Sequence, residues 1–422
     1  MPIENSFQHD DLSRKNPGDR ITFCEVMTGV QPESPAWSDA MAGLGTHLSQ
    51  AGVRAVLFLH GSILGSDVFG MQRLDEVGGL KRGYSRGVAG LDALLAAMRE
   101  ESNGLAGPHG LNPPLANDDA TKKLLDDQAC DAGNFTGAYV ESFRKAVNKK
   151  GPKPIACFRD LWSCEHHHLG RAIASCVLLD RLRLLVAEQK LGTGDRLLIQ
   201  VHGQAGLILA LVSNFLYPSP ITGQKKLFEL LMSFAQQSQD RHLPSVIQRI
   251  EPLLASNTLL NGAMLDVVTF GTPVRYGWDP SGLGRLLHIV NHRNLRTDGK
   301  SWLSKMELPQ ITMEMPIAWG GDYVQQLAVA GSDAMPTNDA AKAANKALWE
   351  LVEPFDGFER WLECARRTVR IPSEGLGILA DYKDSTGSTN VRDHYFGHAV
   401  YTRLNTMLFN TTEIVQALYQ SP

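Results

Sequence analysis

The chain has 422 residues, 43% hydrophobic and 20% charged, enough apolar mass for a large buried core. Its 45 acids stand against 41 bases, for a net charge of -4. The bases cluster only in pairs such as Lys149-Lys150 and Arg366-Arg367, which excludes charge-driven binding to nucleic acid or to an anionic membrane. None of the six cysteines forms a CxxC, so neither a zinc knuckle nor a thioredoxin-like redox site is signalled. Residues 1–20 lack the apolar core of a secretion signal. The longest apolar stretch, 197–216, is interrupted by Gln200, His202, Gln204 and Asn214, which a bilayer would penalise. The expectation is a cytoplasmic chain with no transmembrane segment, cofactor or metal.

In chain order, the first weak strand signal is 21–26. A strong one follows at 54–60, where a run of Ala, Val, Leu and Phe ends in His60-Gly61. The stretch 104–117, rich in Gly, Asn and Pro, reads as a long loop. Further strands are predicted at 154–159, 195–201, 264–270, 325–330 and 375–380, with another signal at 286–290. Helical periodicity of apolar residues marks 169–190, 205–216, 339–352, 358–367 and 402–419. Alternation of strands and helices implies βαβ units, and the near-continuous Val/Ile/Leu runs imply strands buried on both faces. The predicted fold is α/β, a mostly parallel sheet with helices on both faces and a helical cap. Segment 1–53 is expected to pack on a core spanning 54–422, with insertions at about 80–150 and 220–260. The second insertion, helical over 225–256, is a candidate lid over the edge of the sheet where ligands bind in open α/β folds.

Chemistry concentrates at Leu197-Leu-Ile-Gln-Val-His-Gly-Gln-Ala-Gly206. An apolar strand runs through a cluster of tiny residues straight into an apolar helix. That is the layout of a nucleophile elbow, where small neighbours allow a tight strand-to-helix turn. Aligned through His202, the position of the nucleophile falls on Gly203; a second register puts it on Gln204. Neither supplies a hydroxyl or a thiol. Around this turn stand His60-Gly61-Ser62 after one strand and Gly271-Thr-Pro273 after another. Asp333 follows the run 325–330, and His398 follows the last predicted strand.

In that order these motifs resemble the α/β-hydrolase superfamily, in its lipase and esterase branch, over roughly residues 54–419. The resemblance implies ester or amide hydrolysis through an acyl-enzyme, and a small ester or lipid-like ligand. It implies that Asp333 orients His398, with Asp381 and Asp384 as other acids and His394 as the other base. It also implies an oxyanion hole from backbone N–H groups near Ser62 and Gln204, flanked by His60, Gly61 and His202. At position 203 the chain departs from the pattern. Glycine cannot form an acyl-enzyme, and it is expected to leave a hydroxyl-sized vacancy beside the imidazole. The expected function is an impaired or inactive hydrolase; the alternative is a non-catalytic binding or scaffold protein that keeps the pocket.

The run Trp162-Ser-Cys-Glu-His-His-His168 stands apart. Adjacent histidines diverge and do not share one ligand-bearing face, so no metal is expected there. His168 is a candidate pocket residue. Ser163 and Cys164 are the replacement nucleophiles to be weighed.

Overall fold

The computed structural model describes residues 21–26, 29–61, 119–218, 222–292, 321–327, 336, 338–352, 371–372, 374–382 and 395–420. Among these, seven strands form one all-parallel sheet: β1 (Ile21–Glu25), β2 (Val53–Leu59), β3 (Ala156–Asp160), β4 (Arg196–His202), β5 (Met264–Phe270), β6 (Arg285–Asn291) and β7 (Leu376–Asp381). Their spatial order is β1-β7-β6-β5-β4-β2-β3. The predicted α/β sheet is therefore present, and part of segment 1–53 supplies its edge strand, with Ile21 opposite Gly377 and Glu25 opposite Asp381.

Helices cover both faces: α1 (Pro35–Gln50), α2 (Asp119–Ala129), α3 (Gly137–Val147), α4 (His168–Glu188), α5 (Ala205–Phe215), α6 (Thr222–Ser238), α7 (His242–Ala255), the short α8 (Tyr323–Leu327), α9 (Asp339–Val352) and α10 (Met407–Tyr419). Alternation along the strands divides the core. Leu57 and Leu59 of β2, with Ile199 and Val201 of β4, pack into one layer together with α4 to α7 and α9. Phe58 and Leu198 face the opposite layer with α1, α3 and α10. There Phe58 is ringed by Phe135, Tyr139 and Phe143, with ring centroids 5.2 to 5.8 Å away. Side chains that are apolar on both faces are what a parallel strand between two helical layers requires.

Local chemistry sets the element ends. Ser34 caps α1 by accepting from the Trp37 N–H at 3.2 Å, and Pro35 starts the helix where its missing N–H costs nothing. Thr136 caps α3 in the same way.

The stretch 325–330 is not a strand where it is described: residues 323–327 form the single-turn helix α8. Residues 328–330 lie outside the described residues, as do the predicted helix 358–367 and the loop 104–117. The insertion at 225–256 forms α6 and α7. α7 packs on α4, α6 packs on α9, and Phe228 stacks on Phe215 of α5 with centroids 5.2 Å apart. Their apolar faces extend one helical layer. Among the described residues, no helix is long and apolar enough to cross a membrane.

Candidate functional site at the ends of β2, β4 and β5

The strand order reverses between β2 and β4. The chain goes from β2 outward to β3, returns to the other side of β2 as β4, and then proceeds through β5 and β6 to β7. At such a switch point the connections at the strand C-termini diverge and leave a crevice. Leu59 of β2 is level with Val201 of β4, and His202 with Phe270 of β5. His60-Gly61, Gly203 and Gly271 therefore leave the sheet side by side.

Gly203 turns directly from β4 into α5 with φ +53°, a left-handed conformation that side chains rarely adopt. Its N–H donates to the Phe270 carbonyl at 2.8 Å, and its own carbonyl accepts from Thr272 Oγ1 at 2.9 Å. The Gly-Thr-Pro turn thus clamps the strand-to-helix turn. Gln204 precedes the first residue of α5, and its Oε1 accepts from Arg171 Nη2 at 3.1 Å. Gln204 is therefore committed to the buried interior, and Gly203 is the residue that stands at the strand-to-helix turn.

His398 lies over that glycine. Its Nδ1 is 2.7 Å from Asp322 Oδ2, and both side chains are essentially fully buried. Asp322 is held on every side: Oδ2 also accepts from the Tyr401 hydroxyl at 2.8 Å, and Oδ1 from the Gln325 N–H at 2.8 Å. The Tyr401 oxygen in turn accepts from the Asn291 N–H at 2.7 Å, which ties the dyad to the end of β6. With Nδ1 engaged, Nε2 is the nitrogen presented to Gly203, 2.7 Å from where a Cβ on that residue would stand. The expected vacancy is absent, because the imidazole edge has closed onto bare backbone. Gly271, with φ +58°, serves the same purpose: a Cβ there would run into Asp322 and Tyr401.

Asp333, His394, Asp384 and Ser62 lie outside the described residues. Asp381 is in β7 itself, opposite Glu25 at the sheet edge. The carboxylate that meets His398 is Asp322, which the sequence reading did not single out. A signal was present: Asp322-Tyr-Val-Gln325 is a helix-capping pattern, and Asp322 Oδ1 does cap α8. Assigning 325–330 to a strand placed the acid at that run's far end instead of at its start.

Two further buried histidines stand at the C-terminal ends of β2 and β4. His202 Nε2 donates to the His398 carbonyl at 2.8 Å, and the two rings lie 4.1 Å apart. Burial, and then the neighbouring His398, hold the His202 imidazole well below its usual range. Gly61 backs onto His202 so closely that a side chain at 61 would overlap Nδ1. His60 donates from Nδ1 to the Gly61 carbonyl at 2.8 Å and accepts at Nε2 from the Trp162 N–H at 3.1 Å. Both nitrogens are thereby committed to a neutral ring, and burial pushes its pKa down to about 3.

A pH dependence follows. In the unfolded chain these imidazoles protonate near pH 6.5, whereas in the folded protein they stay neutral to much lower pH. Their contribution is complete above about pH 6.5 and is lost as the pH falls toward 3, by about 1.4 kcal/mol per pH unit for each fully buried histidine. Urea unfolding between pH 6.5 and 4.5 should show this slope, and His60→Gln should reduce it. An unchanged slope in the variant would contradict the assignment.

His168, at the start of α4, is buried. Its Nδ1 is 2.7 Å from the Tyr276 hydroxyl, which also accepts from Arg171 Nη1 at 2.9 Å. It therefore supports Arg171 and Gln204 from within the core and does not face open space. Cys164 is buried with φ +55°, its Sγ 3.5 Å from the Gly61 carbonyl and 3.8 Å from His60 Nδ1. Because Nδ1 already carries the proton, His60 offers Cys164 no base. Among the described residues, no group of three or more His, Cys, Asp or Glu could hold a metal ion.

The chain matches no protein-family model, no curated protein and no solved structure.

Proposed function

We infer that the chain is built on the plan of serine esterases and lipases, with the acyl-enzyme route closed because glycine occupies the nucleophile's position. One observation carries the reading: a buried His–Asp pair aims its free nitrogen at the strand-to-helix turn that follows β4, at the switch point of a parallel sheet. The order of turn, acid and histidine along the chain, 203, 322 and 398, is also that of the α/β hydrolases. Without a hydroxyl, such a site retains only what surrounding dipoles and binding supply. That amounts to about 10³–10⁴-fold over water, against losses near 10⁶ from removing a nucleophile.

A second reading is a binding protein that keeps the pocket for a small ester or lipid-like ligand without turnover. The closure of the imidazole onto Gly203 favours it, because a hydrolytic water has no place between them.

Hydrolysis of short nitrophenyl esters, compared between the native protein and His398→Ala, separates the two. Residual turnover that falls at least tenfold in the variant supports the impaired hydrolase, and equal rates support the binding protein. A serine-directed fluorophosphonate should leave the native protein unlabelled; labelling would overturn the placement of the lost nucleophile.

A further inference from the structure

We propose that a second site, separate from the His398–Asp322 pair, binds an apolar ligand carrying one cationic head, of the alkylammonium class. A cavity of about 500 Å³ lies where α4, α6 and α7 meet the ends of β2 and β3. That volume falls within the range of small-molecule pockets, about 300–1,000 Å³. Its walls are chiefly apolar: Trp162, Ile173, Val177, Leu184, Phe234 and Val246. Gly203, Asp322 and His398 do not line it. Trp162, which lines the cavity, donates its indole N–H to the His60 carbonyl at 3.0 Å.

The charged groups on the wall decide the ligand's sign. Four carboxylates face the cavity, from Asp160, Glu165, Asp180 and Asp240, against Arg181 and His242. Arg181 is already engaged by Asp160 at 3.1 Å and Glu188 at 3.5 Å. Asp180 is neutralised by Arg183 and Arg249, at 2.8 and 2.6 Å. Asp240 caps α7 by accepting from the His242 N–H at 2.7 Å. Glu165 differs. Ser163 Oγ donates to it at 3.2 Å, and the only cation-capable neighbour within ion-pair distance, among the described residues, is His167 Nε2 at 4.0 Å. An alkyl chain satisfies the walls, and an ammonium group gives Glu165 the partner it lacks. A fatty carboxylate would meet the Glu165 carboxylate, and the one arginine on the wall, Arg181, is already committed. Burial also pushes the Glu165 carboxyl up to about 7, so a bound cation competes with a proton there.

Calorimetric titration of the full chain with octylamine, 1-octanol and octanoate at pH 8 tests this. Octylamine should bind at least tenfold more tightly than either of the others. Glu165→Gln should bring octylamine down to the level of octanol, and Ala174→Trp, which fills the cavity from α4, should abolish binding of all three. Lowering the pH from 8 to 6 should weaken octylamine up to roughly tenfold in the native protein and leave Glu165→Gln flat. His398→Ala should bind octylamine as the native protein does, so this result stands or falls apart from the hydrolase reading. Octanoate binding as tightly as octylamine, no octylamine binding, binding that survives Ala174→Trp, or binding lost in His398→Ala would each overturn the proposal.

Discussion

Gly203→Ser should introduce covalent labelling by a fluorophosphonate at residue 203, and hydrolysis of short acyl esters at least about 10³-fold above native. The turn already holds φ +53°, so the backbone needs no rearrangement to carry the nucleophile. A side chain in that conformation costs about 1–3 kcal/mol. The new Cβ would begin 2.7 Å from His398 Nε2, so the imidazole must retreat by about an ångström to accept a hydrogen bond from the hydroxyl. Gly203→Ala carries the same strain without the oxygen and should gain nothing, and adding His398→Ala to the serine variant should return it to the native rate. A folded Gly203→Ser protein that neither labels nor turns over would show that position 203 is an ordinary tight turn.

Asp322→Ala should destabilise the fold by about 3–5 kcal/mol, the usual cost of removing one member of a buried polar pair. The loss is large because three donors point at this carboxylate: His398 Nδ1, the Tyr401 hydroxyl and the Gln325 N–H. Each loses its partner where water does not reach. Asp322→Asn keeps an acceptor and should cost about half as much, since one of its two oxygens becomes an amide NH2, which can only donate. Chemical unfolding of the three proteins measures this, and a loss under 1 kcal/mol in Asp322→Ala would mean that the carboxylate is not the anchor of the site. In the Gly203→Ser background, Asp322→Asn should lower ester turnover by up to about 10⁴-fold, because the amide no longer holds the imidazole in the required tautomer.

The two variants probe different layers of one arrangement. Three strands end in glycine at the same level of the sheet, and that bareness lets His398, His202 and Asp322 settle directly onto backbone. A site of this kind is specified as much by the side chains it omits as by those it displays.

The sequence by itself determined the sheet and most of its helices. The run 55–59 is apolar without interruption because both faces are buried, and that pattern is local to the segment. It likewise determined the strand-to-helix turn at 203, since a cluster of tiny residues between an apolar strand and an apolar helix has few other uses. Tertiary structure decided which acid meets His398. Asp322 reads locally as a helix cap, and it does cap α8; its second role exists only because the end of β6 and the Tyr401 segment bring it to the imidazole. Tertiary structure also decided that the glycine leaves no vacancy. Whether an omitted side chain yields an empty space or a closed contact depends on how far a residue 195 positions away can move in, and hydrophobic periodicity carries no record of that distance.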